Sequence, residues 1–124
     1  MTPGTICTIR NRRGRWVVSA AIRHGELVPL FRDDGLVRLG IAAGAGDLTV
    51  IVPAPTFELG EKVRYTGGSE PRSAIVVKDA GGPTVRLRYH APHELRHGGR
   101  VGFRDREADA DRAGLVADNL HKFI

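Results

Sequence analysis

The chain has 124 residues, of which 41% are hydrophobic and 27% charged, and its formal net charge is +5 at pH 7. This balance excludes wholesale disorder and fits one ordinary domain or two very small ones. The single cysteine, Cys7, excludes an internal disulfide and a thiolate zinc cluster, and no apolar run is long enough to cross a bilayer.

Sixteen glycines and seven prolines punctuate the chain, which favours many short strands over a few long helices. Residues 4–10 (GTICTIR) are rich in β-branched side chains and predict a strand. Residues 11–14 (NRRG) predict a turn, since Asn and Gly tolerate positive φ. Residues 15–22 (RWVVSAAI) form a second predicted strand, 23–26 a turn, and 27–32 (LVPLFR) a third strand. Pro29 places that third strand at an edge or a bulge. Asp33-Asp34-Gly35 is the clearest hairpin signal, and 36–42 (LVRLGIA) pairs back. Asp47-Leu48-Thr49 predicts one turn of 3₁₀ helix before a short strand at 50–52. Pro53-Ala54-Pro55 stops strand pairing, so 53–59 is a Pro-rich linker, short and stiff enough to keep the two halves in contact.

In the second half, 60–66 (GEKVRYT) alternates, 67–71 is a loop, 73–78 (SAIVVK) is a buried strand and 79–82 (DAGG) a turn. In 83–90 (PTVRLRYH), Val85, Leu87 and Tyr89 alternate strictly with Arg86, Arg88 and His90, the pattern of a half-buried strand. Residues 92–98 predict one helical turn with Pro at its start and Gly at its end. A strand at 99–104 follows, then a polar loop or short helix over 104–112 (RDREADADR), and 115–124 closes the unit.

The two halves echo each other. GTICTIR aligns with GEKVRYT, RWVVSAA with RSAIVVK, LVPLFR with TVRLRY, and residues 47–51 with 119–123, all in the same order. The stretch from Leu59 to Tyr65, a glycine loop, and then Ala74-Ile75-Val76-Val77 resembles the opening of SH3-like barrels of the KOW and Tudor kind. KOW motifs usually carry Gly where this chain has Ser73 or Ala74. The resemblance implies an all-β fold of two tandem small SH3-like barrels with short 3₁₀ turns, at 1–52 and 60–124. A single larger sheet shared by both halves is the alternative. Such barrels include RNA-binding modules, peptide-binding modules and structural components of phage particles, so the fold alone does not carry function.

Two basic constellations stand out. Arg10, Arg12, Arg13 and Arg15 crowd one predicted hairpin tip beside Trp16, where they could hold phosphates and stack a base. The plainer reading is a solvated turn with Trp16 as core filler. Lys62, Arg64, Arg86, Arg88 and His90 fall on one face of a predicted sheet, as a stripe for a polyanion or as an ordinary polar surface. His90, His93, His97 and Glu94 match no zinc pattern and read as an incidental cluster. The acidic run Asp105, Glu107, Asp109, Asp111 lacks the Gly and final Glu of a calcium loop. Ser19, Ser69 and Ser73 sit in no nucleophile elbow.

The expectation is therefore a non-catalytic interaction or structural protein with no catalytic residues, metal or cofactor. It would be an adaptor or accessory component of a larger assembly, such as a phage virion. The alternative is a nucleic-acid-binding module. Expected partners are proteins of an assembly, with RNA or DNA and a homo-oligomer as alternatives, and no membrane. Docking is expected through edge strands and the loops 67–72 and 92–98. The sequence carries no signal-peptide pattern, which places the chain in the cytoplasm or in a particle assembled there.

Overall fold

A computed structural model describes residues 1–20, 26–33, 38–67, 71–94 and 101–123. Among the described residues there are nine strands: β1 (Ile6–Ile9), β2 (Trp16–Val18), β3 (Val28–Asp33), β4 (Arg38–Ala43), β5 (Leu48–Val52), β6 (Lys62–Tyr65), β7 (Arg72–Lys78), β8 (Thr84–Glu94) and β9 (Val101–Asp111). A 3₁₀ turn at Ala45–Asp47 precedes β5, and an α-helix, α1 (Arg112–Asp118), leads into a second 3₁₀ turn at Leu120–Lys122. The strands form two antiparallel sheets, ordered β4-β3-β2-β1-β5 and β6-β7-β8-β9. Each begins as a four-stranded meander. In the first sheet the chain then returns through the 3₁₀ turn so that β5 pairs with the far side of β1.

The first sheet is buried on both faces along β1 and β2. One face carries Cys7, Ile9, Trp16, Val18, Val28 and Leu30, with Ile41, Ala43 and Leu48 packed against them. The pleat turns the intervening residues the other way. Val52, Ile6, Val17 and Phe31 are paired successively across β5, β1, β2 and β3 and form one cross-strand row. That row joins a second core made by Val63, Ala74, Val76, Val85, Leu87 and Ala110 of the second sheet and Ala113, Leu115, Val116 and Ala117 of the helix. Helix α1 touches β2 and β3 of one sheet and β6 and β9 of the other. It sits at the junction because its small and branched side chains are buried nearly all round.

The linker is part of this core. Phe57 is buried and meets Phe123 edge-on, with ring centroids 5.6 Å apart. Its N–H donates to Asp79 Oδ2 at 2.7 Å. Asp79 forms an ion pair with Arg112, both side chains being 2% exposed. Arg112 also donates through Nε to the Gly82 carbonyl at 2.8 Å and through Nη1 to the Pro55 carbonyl at 2.7 Å. A Cβ on Gly4 would lie 3.0 Å from Arg112 Cγ, so the N-terminal turn also closes on this side chain. One buried guanidinium thus ties linker, turn, helix and first half together.

The outer edge of β6 has no strand beside it among the described residues. Side chains take that place. Asn119 accepts the Arg64 N–H at 2.8 Å and donates to the Arg64 carbonyl at 2.9 Å. Asp118 accepts the Thr66 N–H at 3.2 Å, and Lys122 Nζ donates to the Lys62 carbonyl. The alternate backbone groups that a strand beside β6 would bind are therefore satisfied by the end of α1 and the segment following it, which blunts the edge against stray pairing.

Three readings of the sequence are corrected. The third strand, expected at an edge or a bulge because of Pro29, is an interior strand between β2 and β4, with Pro29 opposite Ala42 in unbroken register. Residues 104–111 are the second half of the 11-residue strand β9, neither loop nor helix. Residues 92–94 continue β8 as extended chain, not as the start of a helical turn. The remainder of that predicted turn, and the Asp34-Gly35 part of the first hairpin signal, lie outside the described residues.

Candidate interaction surfaces

The β1–β2 tip is shaped by two left-handed residues, Asn11 at φ 64 and Gly14 at φ 86. Arg10, Arg12, Arg13 and Arg15 are all exposed there. Trp16 is 5% exposed and belongs to the first-sheet core. Its Nε1 donates to the Arg13 carbonyl at 3.3 Å, a carbonyl that also accepts Arg32 Nη1 at 2.9 Å. The Arg32 guanidinium lies 5.5 Å from the Trp16 ring centroid. The structure therefore gathers the four arginines on one tip but gives the indole to the core, where its face is not open to a stacking base.

The second constellation lies on the outer face of the second sheet. Lys62, Arg64, Arg88 and His90 are exposed and Arg86 is half-buried, whereas Val63, Val85 and Leu87 face inward. Tyr65 and Tyr89 lean on each other with ring centroids 5.6 Å apart. The register sets β9 directly beside this basic row: Arg86 faces Asp109, Arg88 faces Glu107 and His90 faces Asp105. Arg86 bonds Glu107 at 3.3 Å and Asp109 at 3.2 Å, Arg88 bonds Glu107 at 3.3 Å, and His90 Nδ1 lies 2.7 Å from Asp105. Hydrogen bonds from Arg86 and then Arg88 hold the Glu107 carboxyl below its ordinary pKa. The bond to Asp109, followed by that to Glu107, raises the pKa of Arg86. Half of the basic row is thus a ladder of alternating charge, with a shallow groove around exposed Ile75 between Lys62 and Arg88.

The third surface is β5. Its register against β1 shifts between Ile6 and Cys7, whose partners are Val52 and Val50, so Ile51 is the extra residue of a bulge. At a bulge the in-out alternation breaks, and Val50 and Ile51 are both turned outward, 47% and 43% exposed. Among the described residues β1 is the only strand that pairs with β5.

Cys7 is fully buried, and burial raises its thiol pKa, which suits an inert packing residue. No group of three His, Cys, Asp or Glu side chains that could hold a metal occurs among the described residues, and His97 lies outside them.

Sequence reasoning missed Asp79, Arg112, Asn119 and the partnership of β8 with β9. The last left a trace. The every-other spacing of Asp105, Glu107, Asp109 and Asp111 is a strand period, with Ala108 and Ala110 turned inward between them. No family model, curated protein or solved structure matches this chain.

Proposed function

We propose that the chain is a non-catalytic interaction component of a larger assembly, built from two SH3-like units and docking through the exposed edge of β5. The two-unit reading is supported by the shared meander order of β1 to β4 and β6 to β9. It is also supported by the position of Asn119, which sits beside β6 where β5 sits beside β1. The first unit completes its sheet with a strand, and the second does so with side chains.

The observation that carries the docking reading is the consecutive exposure of Val50 and Ile51 on an edge strand. Such an edge offers a row of backbone donors and acceptors plus an apolar anchor, the two parts that strand addition uses. The β6 edge of the second sheet is covered by Asp118, Asn119 and Lys122, and its other edge strand, β9, carries exposed charges from Arg104 to Glu107 in place of an apolar anchor, which favours β5 for strand addition.

The test is co-isolation with the wild-type chain and with a Val50→Glu/Ile51→Glu variant, after a high-salt wash that strips nucleic acid. A stoichiometric protein retained by wild type and lost by the variant, with the variant still folded, is the expected result. Equal recovery by both chains would sink the assignment to β5.

A further inference from the structure

We infer that the tip between β1 and β2 contacts the phosphate backbone of a duplex nucleic acid without reading its sequence. Arg10, Arg12, Arg13 and Arg15 are four exposed cations within six residues. None of them has an acidic partner among the described residues, whereas Arg86 and Arg88 are bonded to Glu107 and Asp109, and Arg112 to Asp79. The first acidic residue of the whole chain is Glu26, so nothing in the preceding sequence offsets these charges. Asp47 abuts the tip through its carbonyl, which accepts the Arg10 N–H at 2.8 Å, and among the described residues its carboxylate makes no ion pair with the tip arginines.

The shape of the tip favours phosphate over the other polyanions. A specific protein interface draws most of its energy from a few buried anchors near its centre, and residues 10–15 (RNRRGR) contain no apolar side chain. A single strand would be held by stacking on an aromatic face, and the only indole nearby is in the core. What remains is charge alone, on a tip stiffened from behind by the Arg32 bond to the Arg13 carbonyl. Guanidinium groups grip phosphate oxygens in pairs, and a duplex presents one charge per about 1.7 Å of its axis. The tip shares no residue with the β5 edge, which it adjoins through the Arg10–Asp47 hydrogen bond.

The experiment titrates the full chain with blunt 20-base-pair duplexes of DNA and RNA, a single strand of the same length, and poly-glutamate, at several salt concentrations. Duplex affinity is expected to fall with salt by a slope of about −0.9 per phosphate neutralised, and Arg12→Ala/Arg13→Ala is expected to reduce that slope by about 2. Arg86→Ala/Arg88→Ala removes the same formal charge from the partnered face and is expected to leave the slope unchanged. The DNA and RNA arms show which duplex is preferred. The inference is overturned by absence of binding at low salt, by equal losses in the two double variants, by poly-glutamate binding as tightly as duplex, or by a preference for the single strand.

Discussion

Arg112 grips Asp79 through both terminal nitrogens at a site where neither side chain sees solvent. Four further groups complete the shell: the N–H groups of Phe57 and Gly81 donate to the carboxylate, and the Pro55 and Gly82 carbonyls accept from the guanidinium. Burying such a pair is tolerated when each of its polar atoms has a partner, as here, and removing one member strands a buried charge. Arg112→Ala is expected to cost about 3–5 kcal/mol, read as a fall in the urea midpoint.

The same pair sets a pH dependence. The hydrogen bond from Arg112, assisted by those from Phe57 and Gly81, lowers the Asp79 pKa to about 2. A free Asp titrates near about 3.9. Folding therefore favours the ionised form, and the stabilisation is fully present above about pH 5 and lost as pH falls toward about 2, to the extent of about 2–3 kcal/mol. Urea midpoints from pH 6 down to pH 2.5 should drop more steeply for wild type than for Asp79→Asn, which starts lower because Arg112 is left without its counter-charge.

Asn119 tests the closed edge of β6. Its amide serves the Arg64 N–H, the Arg64 carbonyl and the Leu115 carbonyl while the residue is 1% exposed. Asn119→Ala leaves these groups without that partner, at about 1–3 kcal/mol for a buried group left unsatisfied. It also uncovers a strand edge, so the variant should both melt earlier and self-associate in light scattering at concentrations where wild type stays monodisperse. Asn119→Asp keeps the acceptor but loses the donor and should fall between the two.

The β1–β2 tip predicts a contrast between two glycines. Gly14 and Gly81 both have φ in the left-handed region, 86 and 83. A Cβ at Gly81 meets nothing within 4 Å, whereas one at Gly14 collides with the Arg32 guanidinium. Gly81→Ala should cost about 1 kcal/mol for its backbone alone. Gly14→Ala should cost more and also release Arg32 from the Arg13 carbonyl. Denaturation midpoints of the two variants rank them directly.

How much of this was written in the chain depends on the range of the interaction. The alternation of Val63, Val85 and Leu87 with Lys62, Arg86 and Arg88 follows from the pleat and could be read locally. So could the positive φ at Asn11 and Gly14. The predominantly β class was legible from the turn spacing, whereas its arrangement as two open sheets of five and four strands was not. The Asp79–Arg112 pair was not, because its partners are 33 residues apart and a lone Asp beside Ala-Gly-Gly looks like any turn. Helix α1 was hidden for a similar reason. RAGLVAD is only seven residues long, contains Gly114, and is held by what surrounds it more than by its own propensity. Half of the basic face lost its apparent charge because the acids that balance it arrive about 20 residues later on β9. Strand pairing decides that meeting, and composition cannot.

The two halves meet in one core, where the Val52–Ile6–Val17–Phe31 row packs with the helix and the second sheet. The tip and the β5 edge are thereby carried on one body. The chain supplies its own reporters: Trp16, its single tryptophan, lies in the first sheet, and its two tyrosines, Tyr65 and Tyr89, lie in the second. Urea unfolding followed at once by Trp16 fluorescence and by tyrosine difference absorbance tests the shared core most directly. One common midpoint is expected, moving by the same amount for both probes in Ile6→Ala, a truncation worth about 2–5 kcal/mol. Two separate midpoints, or an Ile6→Ala shift seen by tryptophan alone, would contradict a shared core.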